Sequence, residues 1–84
     1  MDQKLEIYGQ DDCRFCAAAV AFCDKRGLPY VYLNMTSSPI LRVEMLERAP
    51  GAKTAPQIFI GPHRIGGFDD LQRNYPVVQQ ILGG

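Results

Sequence analysis

Two cysteines, Cys13 and Cys16, stand three residues apart where a strand pattern gives way to a helix pattern. Ahead of them, Lys4-Leu5-Glu6-Ile7-Tyr8 alternates polar and apolar and ends at Gly9. That is the period of a strand with Leu5 and Ile7 on one face. Behind them, Arg14 to Arg26 holds no Gly or Pro, is rich in Ala, and closes on Lys25-Arg26-Gly27. Basic residues in a last turn followed by Gly mark a helix end. The helix then has to deliver the chain to another strand, and Tyr30 to Leu33 supplies it, entered from Pro29. Strand, helix and strand in succession imply a parallel pair with a right-handed crossover.

The remainder divides as cleanly. Ser37-Ser38-Pro39 offers a helix start, with Ser as cap and Pro in the first turn. Ile40, Val43 and Leu46 recur at three, and Leu41, Met45 and Ala49 at four, before Pro50-Gly51 stops the segment. Gln57-Ile58-Phe59-Ile60 reads as a third strand, Gly61-Pro62-His63 as a tight turn, and Arg64-Ile65 as a short fourth strand. So short a connection demands an antiparallel hairpin. Asp69 or Asp70 can cap a last helix whose inner face is Leu71, Tyr75, Val78 and Leu82. Pro76 inside that pattern removes a backbone donor, so a kink or restart is expected there. The order is β-α-β-α-β-β-α, without repeats or linkers. The expected fold is α/β: one domain over residues 1–84, with a mixed four-stranded sheet flanked by three helices.

Composition excludes several functions. Lys plus Arg and Asp plus Glu both total 9, so the net charge is zero. That leaves no electrostatic footprint for nucleic acid or an anionic membrane. The longest apolar run, Phe15 to Cys23, is far short of the ~20 residues of a spanning helix. Met1-Asp2-Gln3-Lys4 leads straight into a strand pattern rather than a signal peptide. The expectation is a cytoplasmic protein. There are 3 cysteines, and an odd count argues against a disulfide framework. A CxxC then reads as redox or metal chemistry.

The placement of the pair favours redox chemistry. Cys13 falls at a helix N-terminus, facing unpaired backbone N–H groups and the positive end of the macrodipole. Both favour a thiolate, and cysteines so placed titrate at roughly 3.5–7.5 instead of ~8.5. Cys16 lies one turn behind, near enough to close a disulfide. Cys13 is thus read as the nucleophile and Cys16 as the resolving thiol. A zinc site wants four ligands; only Cys23 and His63 remain to complete one, and Cys23 lies mid-helix. No metal is expected.

Three segments together resemble a dithiol glutaredoxin of the thioredoxin-like superfamily. They are Cys13-Arg14-Phe15-Cys16, Thr54-Ala55-Pro56-Gln57-Ile58-Phe59-Ile60, and Ile65-Gly66-Gly67-Phe68-Asp69-Asp70. The resemblance implies a glutathione-dependent thiol–disulfide oxidoreductase with no tightly bound cofactor. Glutathione would be its reductant, at family potentials of roughly −200 to −230 mV. It further implies a cis Ala55-Pro56 bond facing Cys13, with the Thr54-Ala55-Pro56 backbone pairing with the cysteinyl part of glutathione. Gly67, Phe68, Asp69 and Asp70 would hold the γ-glutamyl end, with Asp70 taking the ammonium. Phe15 and Phe68 are read as flanking the groove, and Cys23 as a buried packing residue. Partners by resemblance are disulfide-containing or glutathionylated proteins, ribonucleotide reductase among them; the protein itself is expected to be a monomer.

The chain departs from the family pattern at three places. Arg14 stands where Pro is usual, which loosens the turn and adds a cation beside the thiolate, while Asp11 and Asp12 oppose it. Gln10 stands where a Lys or Arg commonly holds the glycine carboxylate, so either Gln10 or Lys53 is left for that task. Ala55 replaces a Val. Two rival functions stay open: a redoxin reduced by thioredoxin reductase, and a carrier of a glutathione-ligated iron–sulfur cluster. The Gly67-to-Asp70 segment argues against the first. Cys16 and the lack of Trp argue against the second.

Overall fold

A computed structural model describes residues 3–83. β1 (Leu5–Gly9), α1 (Arg14–Arg26), β2 (Tyr30–Asn34), α2 (Ile40–Arg48), β3 (Gln57–Ile60) and β4 (His63–Gly66) follow in order, then α3 (Phe68–Arg73) and α4 (Tyr75–Gly83). The sheet runs β2-β1-β3-β4. β1 pairs with β2 in parallel and with β3 antiparallel, and β3 and β4 form the antiparallel hairpin. The expected mixed sheet is therefore present, with two differences in detail. His63 opens β4 rather than lying in the turn, and the last helix is two helices.

That division has a local cause. Pro76 is the second residue of α4, where a missing N–H removes no helical bond. α3 ends at Asn74, whose N–H donates to the Asp70 carbonyl (2.8 Å).

The sheet is covered on both faces, so β3 is buried at every residue. On one face Leu5, Ile7, Ile58 and Ile60 meet Ala19, Phe22 and Cys23 of α1, Leu71 of α3 and Val78 of α4. Phe22 is the hub, edge-on to Phe68 (6.1 Å) and Tyr75 (5.5 Å). On the other face Tyr8 and Phe59 meet Met35, Met45 and Ala49. Burying such side chains is the main favourable term, roughly 1.5–3 kcal/mol each. A polar chain crosses this second face: Tyr8 donates to Glu44, Arg48 donates to Tyr8 (3.1 Å) and pairs with Glu6 (3.0 Å).

α1 ends as its sequence predicts. Gly27 adopts φ 65° and donates to the Asp24 carbonyl, while Leu28 donates to Cys23. α2 starts differently. Pro39 is its cap residue, without a side-chain cap bond, and the Ser37 hydroxyl donates instead to the Asn34 carbonyl (3.4 Å). Its apolar series are also unequal: Met45 and Ala49 are buried, whereas Ile40, Val43 and Leu46 face solvent.

Candidate active site

The register of β1 against β3 pairs Tyr8 with Gln57. The loop leaving β1 and the loop entering β3 therefore meet at one end of the sheet. The first carries Cys13, the second Pro56. The Ala55–Pro56 bond is cis, and Cys13 Sγ lies 3.7 Å from the Ala55 carbonyl oxygen. The two sequence segments expected to face each other do so.

Cys13 is the cap residue of α1. The Cys16 N–H donates to Cys13 Sγ at 3.2 Å, the interaction that favours negative charge on that sulfur. Cys13 and Cys16 form a disulfide, with Cα atoms 5.2 Å apart. Cys13 is half-buried, whereas Cys16 is 1% exposed. An external disulfide can reach only the first sulfur, and Cys16 can meet only Cys13.

The approach to Cys13 is held by side chains. Asp12 sits in the left-handed region at φ 52°, which Asp tolerates better than most residues. The Asp11 N–H donates to Thr36, and Asn34 donates to the Asp11 carboxylate, both at 3.0 Å. Tyr32 donates to the Gln10 carbonyl at 3.3 Å.

Beside the disulfide lies a cavity of about 460 Å³. Phe15, 58% exposed, forms one wall, and Thr54, Ala55 and Pro56 form the floor. Gly67, Phe68, Asp69 and Asp70 close the far end. The residues expected to hold the cysteinyl and γ-glutamyl parts of glutathione all line this one cavity, together with Gln57, Arg64 and Gly66, which the sequence reading missed. Buried Gln57 donates to the Thr54 carbonyl (3.1 Å) and accepts from Arg64 (3.4 Å), bracing the turn before Pro56.

At the far end Gly67, rather than Asp69 or Asp70, is the cap residue. Asp70 reaches back and accepts from the Gly67 N–H (2.9 Å). The turn depends on Gly66: its φ is 113°, and a Cβ there would collide with the Asp70 side chain.

Gln10 and Lys53 line a smaller neighbouring cavity of about 350 Å³, reached past Phe15. Arg42 joins them there and donates to the Gln10 side chain at 3.1 Å. The sequence held no pointer to Arg42, which lies on α2, far along the chain. Arg14 is exposed and lies with Cys13 on the opposite flank.

Cys23 is fully buried and free, and burial, reinforced by Asp24 against Arg26, raises its thiol to about 11. It is an inert packing residue. His63 is exposed on β4. Among the described residues no three His, Cys, Asp or Glu side chains converge as a metal-binding group.

The family model for glutaredoxin matches residues 5–65. The chain belongs to the glutaredoxin family. It is 39% identical over 68 residues to glutaredoxin 3 of Escherichia coli K12, covering 81% of each chain. The solution structure of glutaredoxin from Brucella melitensis superposes with a TM-score of 0.72 at 34% identity, over 95% of this chain and 87% of that one. A buckwheat glutaredoxin–glutathione complex shares the fold at a TM-score of 0.74 and 21% identity, over 94% of this chain and 74% of that one. The fold is thioredoxin-like. Family and CxxC motif together make the protein a thiol–disulfide oxidoreductase, with Cys13 and Cys16 as its redox-active centre.

Proposed function

We propose that glutathione is the reductant, and that the protein reduces glutathione mixed disulfides and protein disulfides. The observation carrying this reading is the single cavity that joins Ala55, 3.7 Å from Cys13 Sγ, to the α3 end with its Asp69 and Asp70 carboxylates. A cysteinyl backbone would pair with Ala55 like an added strand. The γ-glutamyl carboxylate would meet backbone N–H groups around Gly67, and its ammonium the Asp69–Asp70 pair. Asp70 already serves Gly67 and Arg73, so Asp69 shares that charge. For the glycine carboxylate, Arg42 beside Gln10 and Lys53 supplies the cation that position 10 lacks.

The exchange then runs in balanced steps. The Cys13 thiolate attacks the glutathionyl sulfur of a mixed disulfide and releases the substrate thiolate. A second glutathione thiolate attacks the adduct, giving glutathione disulfide and restoring Cys13. With a protein disulfide, the Cys13 thiolate attacks one substrate sulfur and expels the other as a thiolate. The Cys16 thiolate then attacks the Cys13 sulfur of that mixed disulfide, frees the second substrate thiolate and leaves the Cys13–Cys16 disulfide. Two glutathiones reduce it. Candidate protein substrates are cytoplasmic enzymes that form a disulfide in turnover, with ribonucleotide reductase as the example, met by a monomeric protein.

The test is turnover of a glutathionylated peptide coupled to glutathione reductase, against a parallel assay with thioredoxin reductase. Activity only in the first supports the reading, and activity only in the second replaces it with a thioredoxin-reductase-dependent redoxin. Visible absorption in the purified protein would favour the iron–sulfur carrier.

A further inference from the structure

We propose that protein substrates dock on the flank of Cys13 opposite the glutathione cavity, as an extended cationic segment added to the free edge of β2. This rests on the thiol–disulfide reading above and names the substrate surface. The larger depression beside the disulfide, about 800 Å³, is lined by Cys13 itself, Ala17 and Ala21 of α1, and Tyr30 and Tyr32 of β2, with Asp24 beyond. Cys13 thus borders two depressions, this one and the glutathione cavity, whose Ala55 carbonyl lies 3.7 Å from its Sγ. A polypeptide disulfided to Cys13 therefore has a trough of its own.

The strand edge supplies the backbone partners. β2 is last in the sheet order and pairs only with β1 among the described residues. Leu5 donates to the Pro29 carbonyl (2.9 Å), and Met35 donates to the Gly9 carbonyl (2.8 Å). In a parallel ladder, alternate residues of one strand bond the neighbour, so positions 29, 31, 33 and 35 face β1. The backbone N–H and C=O groups of Tyr30 and Tyr32 then point outward. Edges are usually blunted by charge, Pro or a bulge, and Tyr30-Val31-Tyr32-Leu33-Asn34 carries none of these. An extended chain pairs with such an edge through its backbone.

The charge and length of the trough choose the segment. Alanines give a smooth floor and tyrosine rings a wall. Asp12 stands at the Cys13 end and Asp24 at the other, while Arg14 is the one cation in the lining. Tyr30 donates to Asp24 at 3.0 Å and fixes it. No Lys or Arg lies within salt-bridge distance of Asp24 among the described residues. Asp24 stands three helical turns beyond Cys13, roughly 16 Å at about 1.5 Å per residue. An extended segment covers that distance in about five residues. The fitting substrate carries a Lys or Arg about five positions from its reactive cysteine.

The test uses six-residue peptides with Cys at one end and either Lys or Glu at the other, as mixed disulfides with thionitrobenzoate. In a Cys16→Ser background, Cys13 attacks the peptide sulfur and releases coloured thionitrobenzoate, so the adduct stays trapped. The Lys peptide should react at lower concentration than the Glu peptide. Asp24→Asn should weaken the Lys peptide about threefold, and Asp24→Lys about tenfold with the preference inverted. Turnover of a glutathionylated tripeptide-sized substrate should stay within about twofold in both variants. In the Lys-peptide adduct the Tyr30 and Tyr32 amides should gain protection from hydrogen exchange. Equal reaction of both peptides, unprotected amides, or self-association of the free protein through β2 would overturn the proposal. If wild-type protein fails to turn over any glutathione mixed disulfide, the parent reading fails instead, whatever the peptides show.

Discussion

Asp70 closes one carboxylate oxygen onto the Gly67 N–H at 2.9 Å and turns the other toward Arg73 at 3.4 Å. One residue thus starts α3 and faces the cavity beside the disulfide. The bond to Arg73 is exposed and adds little. The bond to Gly67 matters more, because it satisfies an orphan helix donor. Asp70→Ala should cost about 1 kcal/mol, lowering Tm by roughly 4–8 °C in a domain this small. Asp70→Asn keeps an acceptor for Gly67 and should hold Tm nearly unchanged. Both should raise KM for a glutathionylated substrate, as measured in the coupled assay. If only Asp70→Ala raises KM, Asp70 serves the helix start alone.

The unequal exposure of the two cysteines separates their roles. Cys13→Ser should abolish all exchange. Cys16→Ser should retain deglutathionylation and lose reduction of protein disulfides, because on the proposed route glutathione resolves the Cys13 adduct without Cys16. Steady-state assays with a glutathionylated peptide and a protein disulfide check this. Comparable activity in the two variants would show the nucleophile to be misassigned.

In the disulfide form Cys23 is the one free thiol. Thiol reagent should find nearly none in native protein and one per chain after denaturation. Burial raises its pKa to about 11, above the ~8.5 of an unfolded thiol. The sign follows by linkage: this contribution is complete below about pH 8.5 and is lost as pH rises through the folded value. Tyr8, raised by burial and its bond to Glu44, Tyr30, raised by its bond to Asp24, and Tyr32, raised by burial, act in the same direction. Urea unfolding of wild type and Cys23→Ala, compared from pH 8 to 11, cancels the tyrosines and should leave a shallower slope in the variant.

Arg42 is predicted to act on binding rather than chemistry. Arg42→Ala should raise KM for glutathionylated substrate about three- to tenfold with kcat little changed, the range for one exposed charge-assisted bond. Lys53→Ala should do less, because among the described residues Lys53 makes no side-chain hydrogen bond or ion pair that fixes its position. A fall in kcat with constant KM would place Arg42 in the positioning of Cys13 instead.

Local patterns carried the elements well, because strand alternation, an Ala-rich run and Gly or Pro breaks are nearest-neighbour properties. The restart before Pro76 was legible for the same reason. On α2 both spacings are apolar, so the pattern could not tell the buried Met45 and Ala49 from the exposed Ile40 and Val43. That choice belongs to Tyr8 and Phe59 across the interface. Nor could it disclose Arg42 beside Gln10, or Arg48 joining Glu6 to Tyr8, since each contact closes a loop of more than thirty residues. Asp70 serves the cap from within the helix, three residues past Gly67, a choice that the adjacent Asp69 and Asp70 leave open in the sequence.

β1 and β3 run antiparallel with Tyr8 opposite Gln57, and the reactive sulfur and the cis proline hang from adjacent ends of those strands. A slip of two residues would keep each side chain on its own face of the sheet. It would nonetheless carry the two loops about 7 Å out of step, with Cys13 no longer opposite Ala55. The central ladder is in this sense a ruler: turnover reads its alignment, even where burial and secondary structure would look the same.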